Sequence, residues 1–207
     1  MDADLIKRAL ADIIAKQDPT LKSLKLASVT TMLWAERGVG LVVVGGSAIE
    51  ILTDGDYTSG DLDMCHSTAA TLPIRDRQEV MARLNAEGGP RNWKVAGMFL
   101  DLLGPAESFA RTPFRRIAAE YGAVWIMKPE DLLVERVLVS VYPQPHPSAR
   151  ACARELAFVA LGGAIDMDWK EVLHVASLPE YRNVEECKAL VCEVANELKI
   201  KNPFDTD

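Results

Sequence analysis

The run Leu41-Val42-Val43-Val44-Gly45-Gly46-Ser47 constrains this chain more than any other stretch. Four consecutive apolar, mostly β-branched residues mark a strand covered on both faces. Gly45 and Gly46 then allow a turn whose backbone a ligand can approach closely. Ser47 stands near the start of a short helix, Ser-Ala-Ile-Glu-Ile-Leu. The first turn of such a helix offers N–H groups and partial positive charge, which suit a phosphate. Turn-forming residues fill positions 53–60, and Asp61-Leu62-Asp63-Met64 follows as a second strand. Side chains alternate across a strand, so Asp61 and Asp63 point the same way. Two carboxylates converging beside a glycine-serine turn can hold a hard divalent cation next to a phosphate.

The preceding residues read as scaffold. Positions 4–17 place Leu5, Ile6, Ala9, Leu10, Ile13 and Ile14 at helical spacing. Asp18-Pro19 stops that helix, and Thr20 is the expected cap of a second one running to about Arg37. Downstream, residues 72–86 form an amphipathic helix with Ile74, Val80, Met81 and Leu84 on its apolar side. A hairpin is expected from Asn92-Trp-Lys-Val and Met98-Phe-Leu-Asp-Leu-Leu103 around Ala96-Gly97. Asp101 lies inside its second strand, between Leu100 and Leu102. A carboxylate in such a run needs a partner or a metal, because burying it alone is costly. Asp101 is therefore the third acid of interest.

Val124-Trp-Ile-Met127 reads as a further strand, and Pro129-Glu-Asp-Leu as the start of a helix with proline and acids in its first turn. Tyr142-Pro-Gln-Pro-His-Pro147 breaks that helix. Beyond it the pattern is helical, at about 148–161, 167–176 and 183–198. The expected organisation is a core over residues 1–142 and a small helical subdomain over 143–207. The fold class is α/β (α+β), a short mixed sheet flanked by helices.

Composition narrows the function classes. A 207-residue chain that is 49% hydrophobic and 26% charged is an ordinary globular protein. It has no apolar run long enough to span a bilayer, and its first residues lack the pattern of a secretory signal. A cytoplasmic location is expected. The net charge of −7 opposes a long nucleic-acid footprint while leaving room for a local basic groove. Cys65, Cys152, Cys187 and Cys192 lack paired metal spacing and read as small apolar residues. His66, His146 and His174 have no visible nucleophile partner, which argues against a hydrolytic triad. The glycine turn is no dinucleotide fingerprint, since the third glycine is missing. Trp34, Trp93, Trp125 and Trp169 are expected to be packing residues. Arg111, Arg115 and Arg116 form a cluster that reads as a solvated helix face or as a phosphate contact.

Asp61, Asp63 and Asp101 compose the sharpest constellation. Magnesium takes oxygen ligands from a few carboxylates plus substrate phosphates, and two such ions clamp both oxygens of an in-line phosphoryl displacement. The ordered set Gly45-Gly46-Ser47, Asp61-Leu62-Asp63 and a later strand acid, Asp101, resembles the minimal nucleotidyltransferase superfamily related to DNA polymerase beta. With Tyr57-Thr-Ser-Gly-Asp61, Trp93 and Pro129-Glu-Asp-Leu132 it is also similar to a bacterial group akin to abortive-infection toxins of toxin–antitoxin pairs. The resemblance covers roughly residues 24–176.

That resemblance implies a transfer of a nucleoside monophosphate from an NTP to a hydroxyl on an RNA end, a protein or a small molecule. It implies Mg2+ (or Mn2+) on Asp61, Asp63 and Asp101, and triphosphate oxygens on Gly45, Gly46 and Ser47. A tRNA acceptor and an antitoxin protein are the partners a toxin setting implies. Toxin-type relatives often carry a lysine in the helix after Pro-Glu-Asp, where this chain has Glu135-Arg136. Arg136 is the candidate substitute, although a planar fork is not equivalent to an ammonium. The alternative reading is a catalytically inactive nucleotidyltransferase-fold module that binds nucleotide or a protein partner.

Overall fold

The computed structural model describes residues 1–67, 69, 71–111 and 114–205. Eight helices and one seven-stranded mixed sheet run through these residues. They fall into two compact units, one of residues 1–51, 58–107 and 114–126, the other of residues 52–57, 108–111 and 127–205. Among the described residues, no helix is long and apolar enough to cross a membrane.

The first unit opens with α1 (Ala3–Ala15) and α2 (Pro19–Ala35). Asp2 caps α1 by accepting the Leu5 N–H at 2.7 Å. Asp18 caps α2 by accepting from Leu21 N–H, with Pro19 at the first helical position. The expected cap, Thr20, is instead a buried residue inside the helix. Proline at the first turn fits the helix as well as it stops the preceding one, and that ambiguity displaced the expected cap by two residues. Lys25 on α2 is buried and ion-pairs with Asp12 of α1 and with Glu120.

The sheet is built from β1 (Leu41–Val43), β2 (Asp61–His66), β3 (Glu87–Gly88), β4 (Asn92–Val95), β5 (Met98–Pro105), β6 (Phe114–Ile117) and β7 (Val124–Met127). Their spatial order is β3-β4-β5-β2-β1-β7-β6. β2 lies inside the sheet, antiparallel to β1 and parallel to β5. All three residues of β1 are buried, as its unbroken apolar run requires. In β2 the buried positions are Leu62, Met64 and His66, so Asp61 and Asp63 share the other face.

Ala96 and Gly97 both have positive φ, at 51° and 82°. That is the two-residue turn whose twist suits a hairpin. It fixes the β4–β5 register with Val95 opposite Met98 and Asn92 opposite Asp101. Two side chains depart from the expected pattern. Ile74 opens α4 (Ile74–Arg83) and is 59% exposed, whereas Val80, Met81 and Leu84 are buried. Trp125 is 41% exposed on β7, while Trp34 and Trp93 lie in the core. Arg115 and Arg116 are exposed on strand β6 and so do not form a helix face.

Glu36, just after α2, receives Arg83 from the end of α4 and the Met1 amino group. The Arg83 guanidinium, more than the amino group, holds the Glu36 carboxyl down at about 2. A depressed carboxyl stabilises the fold fully above its ordinary value of 4.5, and this contribution is lost as pH falls towards 2. Arg83→Met is therefore expected to lower the urea midpoint near neutrality. The gap to the parent protein should close as pH approaches about 2. A gap that stays constant with pH would assign the effect to lost packing.

The second unit is helical: α5 (Pro129–Val141), α6 (Pro147–Leu161), α7 (Trp169–Ser177) and α8 (Val184–Leu198). Packing of α5 on the other three helices forms its core. His146 caps α6, its Nδ1 accepting from the Ala149 N–H at 3.2 Å. The acids of Pro129-Glu-Asp are buried and do more than complement a helix dipole. Glu130 accepts the Asp168 N–H at 2.8 Å, and Asp131 accepts from Ser108 Oγ and the Phe109 and Ala110 amides. Burial pushes the Asp131 carboxyl up against the pull of those hydrogen bonds. The four cysteines are free thiols, and burial raises that of Cys187 to about 12.

Candidate active site

Strand pairing assembles the acidic cluster. β2 and β5 run parallel with Asp63 opposite Asp101 and Asp61 opposite Phe99. Opposed residues share a face, so the three aspartates project from one side of the sheet. One carboxylate oxygen from each of Asp61, Asp63 and Asp101 lies within 4.8 Å of the other two. All three side chains are partly exposed, so the cluster is open to water. Hard oxygen donors at that spacing are compatible with a divalent metal ion.

The glycine turn is pressed against this cluster. Gly45 has φ +62° and begins α3 (Gly45–Leu52). A Cβ at Gly45 would stand 2.8 Å from Asp63 Oδ2. Glycine is thus required twice, for the backbone conformation and for the approach of the carboxylate. Gly46 and Ser47 follow in the first turn of α3. The Ser47 side chain is fully buried. Its Oγ donates to Val44 O and accepts the Asp63 N–H, both at 3.0 Å. The Val44 N–H in turn donates to Asp63 O at 3.1 Å. The Ser47 hydroxyl therefore fixes the backbone beneath Asp63.

Three further residues support the cluster. Asn92 Nδ2 donates to Asp101 Oδ2 at 2.7 Å. Ser59 Oγ donates to Asp61 Oδ1 at 3.2 Å. Glu50, buried on α3, accepts the Ser59 N–H at 2.6 Å and the Ser23 hydroxyl at 3.4 Å. Asn92 was accessible by counting outward from the Ala96-Gly97 turn, which sets it opposite Asp101. Glu50 was not, because its role depends on how α3 meets the loop before β2.

The chain Glu50–Ser59–Asp61 orients a carboxylate of the cluster through a buried acid. Residues that orient ligand groups typically contribute 10–100-fold to metal affinity. Glu50→Gln is expected to weaken Mn2+ binding by about tenfold or more, since an amide oxygen is the poorer acceptor for the Ser59 N–H. Calorimetric titration with Mn2+ checks this, and unchanged affinity would remove Glu50 from the site.

Arg136 lies on α5 in the second unit. Its fork is engaged by the adjacent Glu135, Nε to Oε2 at 2.8 Å and Nη2 to Oε1 at 2.5 Å. Arg111, also in the second unit, is 3.5 Å from Glu171 Oε2.

No family model matches the sequence, and no curated protein matches it. A solved structure does. The antigenic nucleotidyltransferase-like protein from Paracoccidioides brasiliensis is similar with a TM-score of 0.55 at 14% identity, over 87% of this chain and 89% of that one. The fold is nucleotidyltransferase-like. Two structures of ANT(2″)-Ia lie further away. The complex with adenylyl-2″-tobramycin has a TM-score of 0.44 at 15% identity, over 84% of this chain and 98% of that one. The solution structure of this antibiotic-resistance factor has a TM-score of 0.43 at 15% identity, over 96% and 95%. At those scores neither bears on the site.

Proposed function

We propose that this protein is a metal-dependent nucleotidyltransferase that moves a nucleoside monophosphate from an NTP to a hydroxyl acceptor. The observation that carries the reading is the meeting of Asp61, Asp63 and Asp101 beside the Gly45 turn on a nucleotidyltransferase-like fold. Bound Mg2+ or Mn2+ would neutralise the phosphate oxygens and the two oxygens that exchange at phosphorus. Asp61 and Asp63 are the residues to hold it, with Asp101 as the third ligand. Gly45 makes room for the Asp63 carboxylate, and the first turn of α3 at Gly46 and Ser47 directs N–H groups to the triphosphate tail. Asn92 holds one oxygen of Asp101 and leaves the other to take the acceptor proton. The acceptor oxygen then bonds to the α-phosphorus, the bond to the bridging oxygen breaks, and pyrophosphate departs.

Arg136 is the candidate cation for phosphate in this reading. Its engagement by Glu135 favours a second one, a nucleotide-binding module without turnover. Incubation with α-labelled NTPs, magnesium and total RNA separates the two. Labelled product and pyrophosphate from the parent, absent with Asp61→Asn/Asp63→Asn, support transfer. Nucleotide-binding heat without product supports the module, and equal label from both proteins sinks the enzyme. A bacterial toxin setting would add growth arrest on expression that the same substitutions abolish.

A further inference from the structure

The carboxylates do not stand alone on their face of the sheet. Phe99 lies opposite Asp61 on β5, and Lys94 lies opposite Phe99 on β4. Register partners share a face, so Phe99 is flanked by the acidic cluster on one side and an ammonium on the other, with Glu87 of β3 beyond Lys94. Phe99 is 59% exposed. Single exposed apolar residues are ordinary, but this one is a wall of a cavity of about 260 Å³ that also contains Asp61. Pro19, Lys22, Ser23 and Met98 are among its other walls. All of these residues belong to the first unit.

Three properties limit the occupant. The volume lies just under the range of drug-sized sites, which suits one ring system and its sugar better than a multi-ring molecule. The lining offers an aromatic face and a thioether together with the Lys22 ammonium, and Asp61 is its one acid. Asp61 belongs to the cluster that would hold the metal, whereas Lys22 in the lining and Lys94 beside Phe99 are two cations left to meet an anion on a planar group. Position bears on which substrate this is. β1 and the Gly45 turn lie on one side of β2, and β5 with Phe99 lies on the other. An in-line displacement puts the leaving and attacking oxygens on opposite sides of phosphorus. With the triphosphate tail on the glycine turn, the Phe99 side belongs to the attacking hydroxyl.

We infer that Phe99 is a stacking platform for the terminal nucleobase of an RNA acceptor, with Lys22 and Lys94 meeting its adjacent phosphodiester. The inference rests on the nucleotidyl-transfer reading and deepens it. The footprint is short, one or two nucleotides, which reconciles a nucleic-acid acceptor with a chain of net charge −7.

The test uses the whole protein in magnesium and a single-stranded RNA trinucleotide, 5′-labelled and free at its 3′ hydroxyl, with binding read by fluorescence anisotropy. Phe99→Ala is expected to weaken binding about tenfold or more, and Phe99→Trp to retain it, because stacking tolerates any large aromatic. Lys22→Glu should weaken binding and reduce the salt slope by about 0.7 or more. The inference is overturned if the parent fails to bind the trinucleotide, or if Phe99→Ala binds as the parent does. It is also overturned if Phe99→Ala lowers ATP affinity in place of RNA affinity, which would give the platform to the incoming nucleotide. Displacement of the trinucleotide by a tyrosine-bearing peptide or by tobramycin at lower concentration than unlabelled RNA would overturn it too. Mn2+ titration of the parent and of Phe99→Ala keeps the two claims apart. Normal metal binding with no effect of Phe99 on RNA removes only the platform, whereas no metal binding in the parent removes the transfer reading itself.

Discussion

Asp63→Asn is expected to abolish Mn2+ binding and to lower transfer by about a thousandfold or more. Asp63 is the most constrained member of the cluster. Its N–H is taken by Ser47 Oγ, its carbonyl by the Val44 N–H, and its carboxylate sits against Gly45. Asparagine keeps the shape and these backbone bonds, so the fold should survive. What changes is charge. Three carboxylate oxygens within 4.8 Å of one another repel when no cation is bound. Removing one charge relieves that repulsion, and Asp63→Asn without metal should melt at or slightly above the parent temperature. The difference appears on adding metal. A ligand at a hundred times its Kd stabilises by about 2.7 kcal/mol, or about 5–10 °C for a chain of this size. The parent should show that rise in millimolar Mn2+, and Asp63→Asn should not. A metal-dependent rise of equal size in both proteins would mean that the ion binds elsewhere.

Gly45→Ala should be nearly as damaging to the site by a different route. An L residue at φ +62° costs about 1–2 kcal/mol, and the new methyl would meet Asp63 Oδ2 at 2.8 Å. The carboxylate must then rotate out of the cluster. A melting temperature lower by about 2–8 °C is expected, together with Mn2+ affinity reduced by about 100-fold. Gly38→Ala provides the control. Gly38 has φ +72° and nothing within 4 Å of the added Cβ. It should pay a similar backbone strain and keep its metal affinity. Equal loss of metal binding in both variants would trace the defect to general destabilisation.

The elements that set the site were legible where period and punctuation agreed. β1 is an unbroken apolar run, β2 alternates, and the β4–β5 hairpin turns where Ala96-Gly97 stands. The three acids could be read because two are spaced by one residue and the third interrupts an apolar strand. Other features depended on tertiary context. Nothing beside the glycines in the sequence shows that the buried Ser47 hydroxyl also ties Val44 to Asp63. Glu130 and Asp131 resemble ordinary acids at a helix start, and only folding shows them anchoring residues 168 and 108–110. The strand β6 has no sequence signature, because Phe-Arg-Arg-Ile carries no alternating pattern.

The parallel pairing of β2 with β5 has a consequence for how the protein reaches its native state. Asp61 and Asp63 meet Asp101 only when two distant segments align in one register. Sliding β5 by a single residue would turn Asp101 to the opposite face and bring Leu100 or Leu102 beside Asp63. Non-local pairing of this kind generally forms more slowly than local helices and hairpins. The acidic cluster is thus a register gauge, absent from any misaligned sheet and complete only in the native one. A divalent ion that binds it adds its binding free energy to that single alignment. Metal uptake followed during refolding would then time the closure of the sheet as well as the birth of the site.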